Sequence, residues 1–312
     1  MKFTHFLLPV LLLWLLACQD GQQAATDNRQ VIVADSVTTM LTSGEATLQV
    51  VAETGARIVS LQLNGREVLQ QQAPGLDNFG ATFWPAPQKS WRWPPPAALH
   101  SQPFRAEQAG ETLAFYGQTD PQTGWRLQKR ISLAASNGFL IEYRLFNDTD
   151  SAMQVAPWEV MAVPEKGVAF YPFSGSEPLP ISTLKPELSD GAAWYLARAD
   201  TARKSRKLFQ DGSEGWLACA WADGLLLVKT FEDIPAEQMA PGHGEVEVFH
   251  NPKTGYAELE NQGGYRPLSP GDSLVYRVGW QVARLPADVE VAVGNPRLLE
   301  QARGLAAGLL LN

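Results

Sequence analysis

Nearly every periodic segment of this 312-residue chain repeats every two residues. "FLIEYRLFN" sets Ile141, Tyr143 and Leu145 against Glu142 and Arg144. "LVYRVGWQV" puts Leu274, Tyr276, Val278, Trp280 and Val282 on one side. Side chains alternate across a strand, so this period predicts half-buried β-strands. "VSLQLNGREVL" carries Asn64-Gly65 between two such runs, a type I′ hairpin signal. "EVEVFHNPKTGYAELE" predicts a second hairpin that turns through Asn251-Pro252 and Gly255. Helical spacing is confined to "NPRLLEQARGLAAGLLLN", with Leu298, Leu299, Ala302, Leu305 and Ala306 on its apolar side. Asn295 stands as the cap there and Pro296 in the first turn. The expectation is an all-β protein of packed antiparallel sheets with a short C-terminal helix. Residues 31–312 read as one domain, because no break in composition and no fixed-period repeat divides them. The Pro-rich stretch from Pro172 to Pro186 is the alternative place for a boundary.

The first residues speak to compartment. "MKFTHFLLPVLLLWLLAC" has Lys2, an apolar run from Phe6 to Ala17, and then Cys18. The run is shorter than the roughly 20 apolar residues of a membrane span. It reads as a secretory signal over residues 1–17 that ends in a lipobox-like Leu-Leu-Ala-Cys. Cys18 would be the lipidated mature N-terminus and residues 18–30 a polar tether. A plain signal peptide or an N-terminal anchor helix is the alternative. Gln19, where an Asp would favour inner-membrane retention, points to the outer membrane, facing the periplasm. Cys219 is the other cysteine, so no disulfide is expected within the folded part. Its apolar setting, "GWLACAWADGLLLV", suits a buried inert thiol.

Composition narrows the chemistry. Net charge is -8 and the only basic cluster is "RKSRK" at Arg203 to Lys207, read as a solvated loop. Nucleic acid is therefore not an expected partner. No phosphate loop, dinucleotide fingerprint or cysteine metal site is present, and no cofactor is implied. "FSGSEP" lacks the Gly-x-Ser-x-Gly elbow. "HGEVEVFH" offers His243, Glu245, Glu247 and His250 as metal ligands, but His250 has the opposite strand parity to the other three. A solvated hairpin is the preferred reading, with no metal.

Two stretches carry the site expectation. "NFGATFWPAPQKSWRWPPP" sets Trp84, Trp91 and Trp93 among prolines, with Lys89 and Arg92 between them. Proline stiffens such a loop, and an indole offers a flat apolar face with one donor. That combination suits sugar C–H faces; tryptophans plugging the end of a sandwich are the plainer alternative. In "YAELENQ", Tyr256, Glu258 and Glu260 share one strand face. If that face is wet, the two carboxylates are solvated charges. If it lines a pocket, neighbouring like charges raise a carboxylate pKa and favour a general base.

Taken in order, these pieces resemble galactose mutarotases and related aldose 1-epimerases over roughly Val31 to Val282. "GARIVSLQLNGREVL" looks like their opening hairpin and "NFGATFWP" like the following loop. The strand ending at Asn147, its polar turn and "QVAPWEV" resemble the middle of the family. "LENQ…LSPGDSLVYRVGW" resembles its closing segment. The resemblance implies a β-supersandwich and places Glu260 on the catalytic glutamate that takes the anomeric proton. The chain departs from the family at its acid. Trp158 occupies the place of one histidine, and a second, near the aromatic loop, has no counterpart, although His100 lies nearby. Glu159, His250 and Lys89 are the candidate substitutes.

The leading expectation is thus a lipid-anchored protein that binds a mono- or oligosaccharide. Trp84, Trp91, Trp93 and Trp158 would stack on it, and Lys89, Arg92, Glu159, His250, Glu258 and Glu260 would make polar contacts. Two alternatives stay open: a 1-epimerase with Glu260 as base, and a structural envelope lipoprotein whose pocket is filled by tryptophan.

Overall fold

The computed structural model describes residues 29–33, 38–76, 78–134, 136–173, 175, 177–197 and 204–309; Cys18 and the expected signal and tether up to residue 28 lie outside these residues. Among the described residues, the strands form two antiparallel sheets, one of eleven strands and one of ten. Their apposed faces enclose one large hydrophobic cluster.

The predicted alternation is the basis of the ten-stranded sheet. Gly138–Asn147 pairs with Ser273–Arg284 and with Trp125–Leu133, so Ile141 meets Val278 and Ile131, and Tyr143 meets Tyr276. Ile141, Tyr143, Leu145, Tyr276, Val278 and Trp280 all face the buried interior, while Glu142 and Arg277 pair on the opposite side. Trp216–Ala220 and Leu225–Thr230 break the alternation and read as continuous apolar runs. The reason is burial on both faces. Leu217, Cys219, Leu225 and Leu227 face the inter-sheet core. Ala218, Ala220, Leu226 and Val228 pack outward against Leu298, Leu299 and Ala302 of the helix Pro296–Gly308. Burial of Leu298 and Leu299 stabilises this layer by about 1.5–3 kcal/mol each. Asn295 caps that helix as expected, its side chain accepting from the Arg297 N–H at 3.0 Å. Cys219 is buried, and burial pushes its thiol pKa up.

The eleven-stranded sheet positions the residues of interest. Five of its strands lie side by side in the order Ala81–Ala86, Met153–Pro164, Tyr256–Gln262, Val246–Asn251 and Arg206–Gln210. The Asn64-Gly65 turn joins its early strands with φ of 49° and 76°, the positive pair that a type I′ turn requires. Asn147 organises the polar turn that feeds the Met153–Pro164 strand. Its amide donates to the carbonyls of Ser151 and Leu268, and its Oδ1 accepts from the N–H and hydroxyl of Thr149.

Candidate functional site

Register decides which side chains meet. Trp84 pairs with Trp158, which pairs with Gln262; Thr82, Val160, Glu260 and Glu247 form the next row. All of these lie on the face turned away from the second sheet. Glu159 is one residue from Trp158, so it points the other way, into the inter-sheet core.

The centre of the outer face is a buried charge cluster. The ammonium of Lys207 lies 2.7 Å from Glu260 Oε2 and 2.6 Å from Glu247 Oε2. The Trp158 indole donates to the same Glu260 Oε2 at 2.7 Å. Lys207 also sits over the rings of Trp158 and Phe209, at 4.8 and 5.2 Å from their centroids. Such cation–π contacts strengthen when desolvated. Glu260 and Glu247 are fully buried, and the Lys207 side chain keeps 20% of its surface exposed. His243, in the loop before the Val246–Asn251 strand, joins the cluster. Its Nε2 accepts from the Gln88 N–H at 3.1 Å, and its Nδ1 lies 2.8 Å from both Glu247 Oε1 and the Gln262 side-chain nitrogen. The His243 ring stands edge-on to Trp158, with centroids 4.9 Å apart.

These contacts divide the protons. Burial lifts Glu260 well above the usual carboxylate range; Glu247 and Glu258 on the same face add to the rise, and Lys207 opposes it. Burial would also raise Glu247, but Lys207 and His243 outweigh it and hold that carboxyl below its ordinary value. Burial alone would depress Lys207; its two carboxylate neighbours reverse this and hold it above the ordinary lysine value. These opposing shifts make Glu260 the more basic of the two carboxyls and Glu247 the more acidic. Oε2 of Glu260 already accepts from Trp158 and Lys207, whereas Oε1 is buried with no hydrogen-bond partner. Gln262 Oε1 and Thr82 Oγ1, on the same face, are likewise buried and unpartnered.

A second polar group flanks the first. Arg57 donates to Asn78 Oδ1 at 2.8 Å, and the Asn78 amide donates to Glu258 Oε1 at 2.9 Å. Burial lowers the Arg57 pKa to about 10, with Glu258 opposing. The Trp84 indole donates to His100 Nδ1 at 3.0 Å. Burial, then Arg57 and Lys129, lower the His100 pKa to about 3, so its imidazole is neutral and accepts.

Above the Lys207 cluster lies a cavity of about 310 Å³, lined by Pro87, Gln88, Lys89, Lys207, Phe209, Pro241, Gly242 and His243. Two loops wall it, tied together where Gln88 N–H meets His243. The aromatic loop is fixed again by the Trp91 indole, which donates to the Pro85 carbonyl at 2.7 Å.

The expected residues separate clearly. Glu260, Glu258, Trp84 and Trp158 share the outer face, and Lys89 reaches the cavity. Trp84, Trp91 and Trp158 are buried, packed into the core around Trp84 rather than presented to solvent. Trp93 and Arg92 are exposed. Glu159 does not join the site. It accepts from Tyr143 Oη at 2.7 Å and the Trp280 indole at 3.2 Å, and pairs with Lys229 at 3.0 Å, all between the sheets. His250 does not join it either; it is buried against Tyr195 Oη at 2.9 Å and Glu165 at 3.2 Å. "RKSRK" is not wholly a solvated loop, since Arg206–Gln210 is a strand and Lys207 is the central cation. The reading of "HGEVEVFH" as a solvated hairpin is also corrected. His243 and Glu247 are buried in the Lys207 cluster, and Glu245 is buried, accepting from the Gly212 and Ile234 N–H groups at 2.9 Å each.

The two antiparallel sheets have the fold of a galactose mutarotase-like sandwich. A galactose mutarotase-like protein from Lactobacillus casei superposes with a TM-score of 0.58 at 12% identity, covering 81% of this chain and all of that one (100%). A galactose mutarotase-like protein from Clostridium acetobutylicum gives 0.56 at 10% identity, covering 82% and 98%. The Slr1438 protein from Synechocystis sp. PCC 6803 gives 0.56 at 15% identity, covering 80% and 96%. At these identities the likeness is one of fold. No curated protein matches the sequence. The chain itself belongs to the DUF4380 family, described as a domain of unknown function, whose profile matches residues 37–283.

Proposed function

We propose that this protein binds a carbohydrate in the cavity above Lys207. The observation that carries the reading is the cavity's composition on this fold. Its volume, about 310 Å³, falls at the lower end of the range for small-molecule sites, about 300–1,000 Å³. Phe209 and three loop residues give it apolar wall, Lys207 and His243 give it fixed polar groups, and exposed Lys89 stands at its rim. Hydroxyls are matched by such a mixture, since each needs a directed partner while the C–H face needs none.

Binding is favoured over turnover. The resemblance to mutarotases would make Glu260 the base, but it is fully buried, burial raises its pKa, and it does not line the cavity. A base must come within hydrogen-bond reach of the proton it takes. The test is calorimetric titration with glucose, galactose and their oligomers, together with NMR of anomer exchange in freshly dissolved α-glucose and α-galactose. Saturable binding that is weakened at least tenfold by Lys89→Ala combined with His243→Ala, without faster exchange, is the expected result. Accelerated exchange would replace it with the 1-epimerase reading. No binding by any saccharide would reject both and favour the structural role. The same proposal includes export, lipidation at Cys18 and residence at the outer membrane, facing the periplasm. Palmitate labelling of the wild type and equally of Cys18→Ser would contradict that part.

A further inference from the structure

Nine tryptophans fall among the described residues, and eight of them are at most 8% exposed; Trp93 is 51% exposed. Its exposure is not slackness of the loop. Four residues earlier the same loop lines the cavity through Lys89, two residues earlier it is pinned by the Trp91 indole, and its start is tied to His243 through Gln88. The Trp93 and Trp84 rings are perpendicular, centroids 5.7 Å apart and planes 88° apart. The indole is therefore anchored by Trp84 on one side while about half of its surface meets water. Arg92 and Pro94 beside it are exposed as well.

Position makes this indole more than a stray apolar side chain, which singly needs no explanation. Four residues of chain span at most about 14 Å, so Trp93 lies within that distance of Lys89 and the cavity mouth. A short run of linked pyranoses covers such a span. The cavity has room for one sugar ring, and the exposed indole supplies a second, flat apolar surface along the same loop, with donors on Arg92 for hydroxyls.

We infer that Trp93 forms an outer subsite and that the ligand is an oligosaccharide or polysaccharide chain rather than a free monosaccharide. This inference rests on the carbohydrate reading of the cavity and deepens it. Trp84, Trp91 and Trp158 are too buried to stack on a ligand, so the extended subsite depends on Trp93 alone among these four.

The experiment uses the full mature chain, with glucose and galactose against the tetrasaccharides of α- and β-linked glucose and β-linked galactose. Because Trp93 is the exposed indole, iodide quenching of tryptophan fluorescence reports on it. At least one tetrasaccharide should bind about tenfold more tightly than its monosaccharide and should protect the fluorescence from iodide. Trp93→Ala should erase that advantage and leave monosaccharide affinity unchanged. Equal affinity for the two lengths, or protection that arises from protein self-association without sugar, would overturn the inference and leave the cavity reading standing. A Trp93→Ala variant that weakens both lengths equally would overturn it too. Failure of every saccharide to bind would instead reject the carbohydrate reading on which it rests.

Discussion

Two lysine–glutamate contacts lie on opposite faces of the same sheet, and they are built differently. Between the sheets, Lys229 and Glu159 are both fully buried and fully occupied. Glu159 has partners on both oxygens, and Lys229 also donates to the Leu259 carbonyl at 2.9 Å. On the outer face, Lys207 is partly exposed, serves two carboxylates at once, and leaves Glu260 Oε1 without a partner. A saturated pair in a dry interior is held in place by everything around it. An unsaturated cluster beneath an open cavity has hydrogen-bonding capacity left for a ligand. The comparison separates a pair built as architecture from the cluster proposed as the binding site.

Removing one charge from each pair tests that distinction. Lys229→Met leaves Glu159 buried without its cation, which should cost about 3–5 kcal/mol in urea unfolding. Adding Glu159→Gln should restore most of the loss, because the buried charge is then gone. An effect under about 1 kcal/mol for Lys229→Met would dissolve the contrast. Lys207→Met should cost less, about 1–3 kcal/mol, since its ammonium is partly exposed and His243 still bonds Glu247.

That second loss should depend on pH. Without Lys207, Glu247 and Glu260 are buried register partners with no cation between them, and both folded pKa values move up from about 4.3. The folded state then holds more protons than the unfolded state, so stability falls as pH rises above about 4. The penalty of Lys207→Met should be small at pH 4 and grow towards pH 8, as measured by urea midpoints across that range. A penalty independent of pH would show that Lys207 acts by packing alone.

How much of this was legible in the sequence follows from which physical rule each feature obeys. Strands, hairpins and the capped helix announce themselves locally, through alternation, through Asn64-Gly65, and through Asn295-Pro296. Glu260 and Trp158 were legible as site neighbours through the family resemblance. Glu159 could have been excluded by parity, because consecutive strand residues cannot face one pocket. His250 is excluded in the same way relative to Glu247 on its own strand. Lys207 was hidden, since "RKSRK" lacks an apolar rhythm and its importance comes from strands at 247 and 260 that reach it only in the folded sheet. The tryptophans misled in the other direction. Proline-rich spacing marks a stiff loop, but whether an indole points inward or outward depends on neighbours such as His100 and Pro85, which no local pattern specifies.

The most direct measurement is a proton–nitrogen spectrum of indole-labelled protein titrated with the oligosaccharide that binds. The Trp158 and Trp93 indole signals should shift saturably, while that of Trp280, which donates to Glu159 between the sheets, stays fixed. Shifts confined to Trp280 and its inter-sheet neighbours, or unmoved Trp158 and Trp93 signals at saturation, would contradict the assignment of the outer face as the binding site.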